Sequence, residues 1–313
     1  MQLRSLSILT LGALALAGCD KLTATTFAVS VLTRTPNLND VATSAGLDPS
    51  MVTTLGGASA IPQATAIAVG VGERESVTST NPPTPVTGAQ VTLSFQDAAG
   101  VDQNVQVCEA TGTSSAQGGY QATSVAGAAC AAANLTYVPN RHYTTTIVKG
   151  ADNYTLDIQA PAAIPATDVT FSPNFQATTE TIGTFGAVPK LAINSALTVT
   201  WPSHGKNVFV TVFRINYNGA DWSLTNVSKQ SNWTPDQTQP IWDNVPRDAT
   251  GMLDVITGTP ATTVTIPATA FAKAGAYALM VTLTEISSTT SSNLSVGSSA
   301  LAGEGTGFVF VVK

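Results

Sequence analysis

Charge is scarce in this chain of 313 residues: Asp, Glu, Lys and Arg together make up only 10%, against about 25% in an average soluble protein. A helix-rich cytosolic enzyme covers its surface helices with Glu and Lys, so that class is disfavoured. Positive charge is scarcer still, 13 Lys and Arg against 19 Asp and Glu, a net −6. Nucleic-acid binders need a basic stripe, so no nucleic-acid partner is expected. Histidine occurs twice and cysteine three times. No His-x-x-x-His, His-Glu-x-x-His or Cys-x-x-Cys spacing occurs, which leaves a metal or redox centre without a motif. Gly-x-Ser-x-Gly and the phosphate-binding glycine patterns are also missing. No apolar run reaches the roughly 20 residues that a membrane-spanning helix needs. Neither an enzyme nor a cofactor is expected from these absences.

What is present begins with residues 1–18, a segment with one cation, Arg4, and a 12-residue apolar stretch, Leu6 to Ala17. That length suits an export signal and is too short to span a bilayer. The segment runs into Leu16-Ala17-Gly18-Cys19. These residues resemble the lipobox of bacterial lipoproteins. The resemblance implies cleavage before Cys19, a diacylglyceryl group on its thiol and further acylation, with residues 19–26 as a lipid-anchored tether. Two acyl chains suffice for stable anchoring. An ordinary secretory signal with an incidental Cys19 is the other reading. Loss of residues 1–18 removes only Arg4, leaving 12 basic against 19 acidic residues, or −7. The expected location is the bacterial cell envelope, with the membrane itself as the first partner.

Cys108 and Cys130 are then the two remaining cysteines. In an exported chain such a pair is most simply one disulfide, here closing a loop of 23 residues. Two free thiols are the alternative.

The rest of the chain reads almost entirely with a period of two. One short helix is expected near 49–55, with Asp48 as its cap, Pro49 at the first position and Gly56-Gly57 as its stop. Strands are expected at Phe27–Leu32, Ala64–Val71, Val91–Phe95, Val105–Val107, Tyr143–Ile147 and Tyr154–Ile158. Pro161-Ala162-Ala163-Ile164-Pro165 reads as a stiff interdomain linker. Beyond it, strands are expected at Val169–Phe171, Leu197–Trp201, Val208–Ile215, Thr262–Ile266, Tyr277–Leu283 and Phe308–Val312. Strands at this spacing without alternating helices point to an all-β fold of sandwich type.

Three stretches carry a closer likeness. Leu197-Thr-Val-Thr-Trp201 resembles the B strand of fibronectin type III domains. Ala274-Gly-Ala-Tyr277-Ala-Leu-Met-Val281 resembles the tyrosine corner and F strand of immunoglobulin-like folds. Pro139-Asn-Arg-His-Tyr143-Thr-Thr-Thr-Ile147 with Tyr154–Ile158 resembles an F–G hairpin of the same class. The resemblance implies two immunoglobulin-like β-sandwich domains in tandem, residues 27–163 and 164–313. It also implies that the Tyr277 hydroxyl bonds back to a nearby backbone group. The segment between Cys108 and Cys130 holds no Trp, a departure from the antibody pattern.

Candidate chemistry is thin. His142 and His204 sit beside strand ends. Glu73 and Glu75 flank Arg74 and read as a solvated edge that discourages aggregation. Asp152, Asp157, Asp236, Asp243 and Asp248 do not form the spaced calcium loop, so no metal is expected. The one anomaly is residues 215–247, where Trp222, Trp233 and Trp242 fall within 21 residues otherwise rich in Asn, Gln, Ser and Thr. Exposed indoles backed by amides suit stacking on sugar rings, with Trp222 and Trp233 as the binding pair. Indoles that cover the end of a sandwich are the competing reading. The apolar surroundings of Trp242, Pro240-Ile241 and Val245, predict its burial. Three functions follow for this envelope protein: a structural or adhesive module, a glycan- or small-ligand-binding lipoprotein, or an envelope hydrolase.

Overall fold

The computed structural model describes residues 25–36, 64–76, 83–110, 118–176, 189–217, 233–235, 241–246, 255, 258–288, 291, 293–295 and 297–313. The chain is all-β. The helix expected near 49–55 and the segment 1–24, with Cys19, lie outside the described residues.

Among those residues, fourteen strands are hydrogen-bonded into one continuous system, and three more form a small sheet. The spine of the large system is a pair of 14-residue antiparallel strands, β16 (Gly275–Ser288) and β17 (Ser299–Val312). At about 3.3 Å per residue each extends roughly 46 Å. The lower half of β17 pairs with β1 (Thr26–Arg34). From β1 the sheet continues through β2 (Thr65–Glu73) to β6 (Gly119–Thr123). The upper half of the spine is flanked by β12 (Asn207–Tyr217) on the β16 side and by the two-residue β10 (Lys190–Leu191) on the β17 side. Three short strands complete this edge work: β3 (Thr84–Pro85) on β2, and β13 (Trp233–Pro235) and β14 (Trp242–Asp243) on β12.

Two covering layers lie on one face of that sheet. The first is β4 (Gln90–Gln96), β5 (Asp102–Glu109), β7 (His142–Lys149) and β8 (Asp152–Gln159), in the order β5-β4-β7-β8. Strand β5 changes sheets along its length, since Asp102–Val107 pair with β4 while Cys108 and Glu109 pair with β6. The second layer is β9 (Thr170–Ser172), β11 (Leu197–Thr200) and β15 (Thr263–Ile266).

Period-two alternation explains the cores directly. Val91, Leu93 and Phe95 of β4 and Tyr154, Leu156 and Ile158 of β8 point inward against Ala28, Leu32, Ile67, Val69 and Tyr120. Leu197, Val199 and Trp201 meet Val208, Val210, Val212, Tyr277, Leu279, Val281, Phe308 and Phe310 in a second cluster. The even-numbered residues of β17 serve both cores: Ala300 and Ala302 the first, Phe308, Phe310 and Val312 the second. The expected last strand, Phe308–Val312, is thus the upper end of a strand nine residues longer. Its lower part, Ser299-Ala-Leu-Ala-Gly-Glu-Gly-Thr-Gly307, is low in β-propensity. Tertiary packing, not propensity, makes it a strand.

Candidate functional site

The Tyr277 hydroxyl donates to the Lys273 carbonyl at 2.7 Å, the back-bond expected of it. In the first core the fully buried Tyr143 makes a doubled version. Its hydroxyl donates to Thr136 O at 2.8 Å and accepts the Val138 N–H at 2.6 Å. Burial raises its pKa to about 12, and burial drives that of Tyr137 higher still. These groups fix loops; neither hydroxyl is poised to ionise near neutral pH.

Among the described residues, an open groove of about 480 Å³ lies where the β4–β5 hairpin meets the start of β7. Ser94, Gln96, Asp102, Gln103, Asn104, Asn140, Arg141, His142 and Thr144 line it. Most are outward-facing residues of strands whose other face is core, so alternation alone assembles the lining. Ser94 Oγ donates to Asn104 Oδ1 at 2.7 Å, and Gln96 Nε2 to Asp102 Oδ1 at 3.1 Å. His142 Nδ1 lies 2.9 Å from Asp157 Oδ2, and the Thr144 hydroxyl donates to Asp157 Oδ1 at 2.9 Å. The imidazole is exposed, and Ser94 is bonded to an amide rather than to a base. Amides and hydroxyls in this arrangement can hold a polyhydroxylated ligand; they do not make an activated nucleophile. At the tip of the hairpin, the Val101 N–H foremost, then Gln103 Nε2 and the Ala99 N–H, donate to the Asp97 carboxylate and hold it below its ordinary pKa.

Cys108 and Cys130 are brought together. Cys108 lies where β5 changes sheets, and Cys130 sits in the loop after β6 with φ 62°. The two are neighbours, and both are free thiols with no disulfide formed, which departs from the expected bridge. Burial, reinforced by Cys108, raises the Cys130 thiol to about 11. A thiol so held is a poor nucleophile.

The segment 161–165 is tied to the spine where the cores change over. The Tyr137 hydroxyl donates to Pro161 O at 2.7 Å, the Ala163 N–H donates to Glu304 Oε2 at 3.1 Å, and the Thr306 hydroxyl donates to Ile164 O. Glu304 is 8% exposed and pairs with Arg34 at 2.9 Å. Neither residue was singled out by sequence reasoning. The available signal was a lone carboxylate between two glycines in an otherwise uncharged stretch.

The tryptophans divide. Trp201 is buried, and its indole N–H donates to Ala261 O at 3.0 Å. Trp242, expected to be buried, is half-buried against the second core. Trp233 contributes backbone to β13, opposite Tyr217. Trp222 lies outside the described residues, as do Asp236 and Asp248. His204 is exposed before β12. Glu73 pairs with Lys149, while Arg74 is buried over the Phe27 ring, 5.4 Å from its centroid. Among the described residues, no group of three or more His, Cys, Asp or Glu could hold a metal ion. No described helix is long and apolar enough to cross a membrane. No protein-family model matches the chain, and no curated protein matches it.

Proposed function

We propose that this chain is a lipid-anchored, non-enzymatic module of the bacterial cell envelope with a structural or adhesive role. The observation that carries the reading is the position of β1. The strand starts seven residues after Cys19 and lies inside the sheet, between β2 and β17. Seven residues reach at most about 25 Å. An acylated Cys19 would therefore hold the sheet close to the membrane and align it with its anchor, which suits a stalk or scaffold. Two immunoglobulin-like sandwiches, residues 27–163 and 164–313, are supported by the two hydrophobic clusters and the tyrosine back-bonds, with the first sandwich borrowing Leu294, Ala300 and Ala302 from the second span. In an oxidising envelope Cys108 and Cys130 would close to a disulfide, and their being neighbouring thiols supports this. Metabolic labelling with an alkyne fatty acid tests the anchor. Label on the wild type and none on Cys19→Ser, with that variant unprocessed or released, is the expected result. Membrane retention and unchanged cleavage of Cys19→Ser would overturn it.

A second reading, a glycan- or small-ligand-binding lipoprotein, is favoured by the amide- and hydroxyl-lined groove at His142 and by Trp222 and Trp233. A glycan array on the mature chain tests it.

A further inference from the structure

We propose that β1 and β17 form a shear-loaded clamp that carries tension from the N-terminal anchor directly into the second core, a role that rests on the lipid-anchored reading above. The two strands are parallel, with six register pairs from Val29↔Ser299 to Arg34↔Glu304. Beyond Glu304, β17 runs on through Gly305–Val312, where Phe308, Phe310 and Val312 enter the second core. A pull from the membrane acts on the Thr26 end of β1. A load held by the second core acts on the opposite, Val312 end of β17. Because the strands point the same way, these forces slide them past each other instead of opening them from one end. All six pairs then resist together, whereas peeling breaks pairs one at a time.

Other contacts hold β1 against sliding. Its nine residues also pair antiparallel with Glu73–Thr65 of β2. Three polar ties cross to neighbours: Thr26 Oγ1 to the Tyr154 hydroxyl at 3.0 Å, Ser30 Oγ to Thr145 Oγ1 at 2.8 Å, and the Ala28 N–H to Ser298 Oγ at 3.1 Å. Arg34–Glu304 closes the far end at 2.9 Å. The Ala163 N–H bond to the same carboxylate fixes it to the segment between the cores. The main load path therefore runs from β1 straight into β17, with side ties to β7 and β8 at Thr145 and Tyr154. Tension reaches the second core along β17 without first passing through β4 and β5.

Optical tweezers on the mature chain carrying Cys19→Ser, so that it is free of lipid, test the clamp. Handles at Asp20 and Lys313 load β1 and β17 in shear. Handles at Asp20 and Glu75 pull on the adjacent ends of the antiparallel β1–β2 pair, whose first partners are Thr26 and Glu73, and so peel it. We expect a rupture force roughly twofold or more higher in the first geometry, since forced unfolding reports the barrier along the pulled coordinate. Glu304→Gln should lower the Asp20–Lys313 force and leave the Asp20–Glu75 force unchanged. Equal forces in the two geometries, or an equal loss in both from Glu304→Gln, would overturn the clamp. Each molecule is read individually, so a partly unfolded sample does not obscure the result. Absence of acyl label on the wild type with the force difference intact overturns the anchor and its load path, and leaves the shear geometry standing.

Discussion

Arg34 and Glu304 face each other at 2.9 Å across parallel strands that lie 270 residues apart in sequence. Glu304 is buried, and its second oxygen accepts the Ala163 N–H from the segment between the cores. The pair thus joins β1, β17 and the crossover between the two cores. Glu304→Ala leaves a partly buried guanidinium and an orphaned N–H. We expect a loss of roughly 2–4 kcal/mol, near the lower part of the range for broken buried pairs because Arg34 stays partly hydrated. Calorimetry should show one cooperative transition for the wild type, since β17 supplies residues to both cores. Two independent transitions in the wild type would contradict that coupling.

The tyrosine back-bonds predict a graded series. Tyr277→Phe removes one hydrogen bond to Lys273 O and should cost about 1 kcal/mol. Tyr143→Phe should cost more, about 2–3 kcal/mol, because it leaves the Val138 N–H and the Thr136 carbonyl without this buried partner. Urea titrations of the two variants check the order.

The same tyrosines set the response to alkali. In the folded chain the pKa of Tyr143 is raised to about 12 and that of Tyr137 is raised further, both chiefly by burial. In the unfolded chain both titrate near about 10. Their contribution is complete below pH 10 and is lost as the pH climbs through the folded values. We expect the unfolding midpoint to fall steeply above about pH 10, with the tyrosinate absorbance of Tyr137 and Tyr143 rising only as the fold is lost. Tyrosinate absorbance complete near pH 10 with the fold intact would contradict this.

Much of this fold was legible in the sequence. Leu93 alternating with Thr92 and Ser94, or Leu279 with Ala278 and Met280, fixes a face without any partner strand being known. The tyrosine corner was legible because its bond spans four residues, Tyr277 to Lys273. Pairing over long distance was not. Nothing local in Phe27–Leu32 says that its neighbour is Ser299–Glu304, and the Gly- and Ala-rich run there has no strand signature of its own. The candidate groove was half legible. His142 stands out as a rare residue at a strand end, but its Asp157 partner comes from pairing across the β7–β8 hairpin.

The cysteines give a chemical prediction. The two thiols are neighbours, so an oxidant should be able to join them. A bridge closing this 23-residue loop should contribute about 3 kcal/mol in the chain-entropy model. Protein purified without reductant should resist alkylation until it is reduced. In reduced protein, Cys130 with its pKa raised to about 11 should alkylate at pH 8 on the order of 100-fold more slowly than an ordinary thiol. Rapid labelling of both cysteines in native, unreduced protein would exclude the bridge.

The tryptophans separate ligand stacking from packing by one spectroscopic comparison. Trp201 is the internal reference, because it is 3% exposed and its indole N–H is bonded to Ala261 O. Trp201→Ala should cost about 3–5 kcal/mol, as buried aromatic truncations do, and the native Trp201 emission should be blue-shifted and slow to quench with iodide. If Trp222 and Trp233 form a stacking surface, single-Trp variants that retain one of them should emit to the red and quench readily. Truncating either to Ala should then weaken glycan binding by about 1–3 kcal/mol, by analogy with aromatic–base stacking, with little loss of stability. Quenching as slow as that of Trp201, together with a large stability loss on truncation, would assign both indoles to packing. The Asp157→Ala variant tests the groove separately. Lost glycan binding there with unchanged behaviour of Trp222 and Trp233 would place the ligand at His142, because the substitution removes the partner that holds His142 and Thr144.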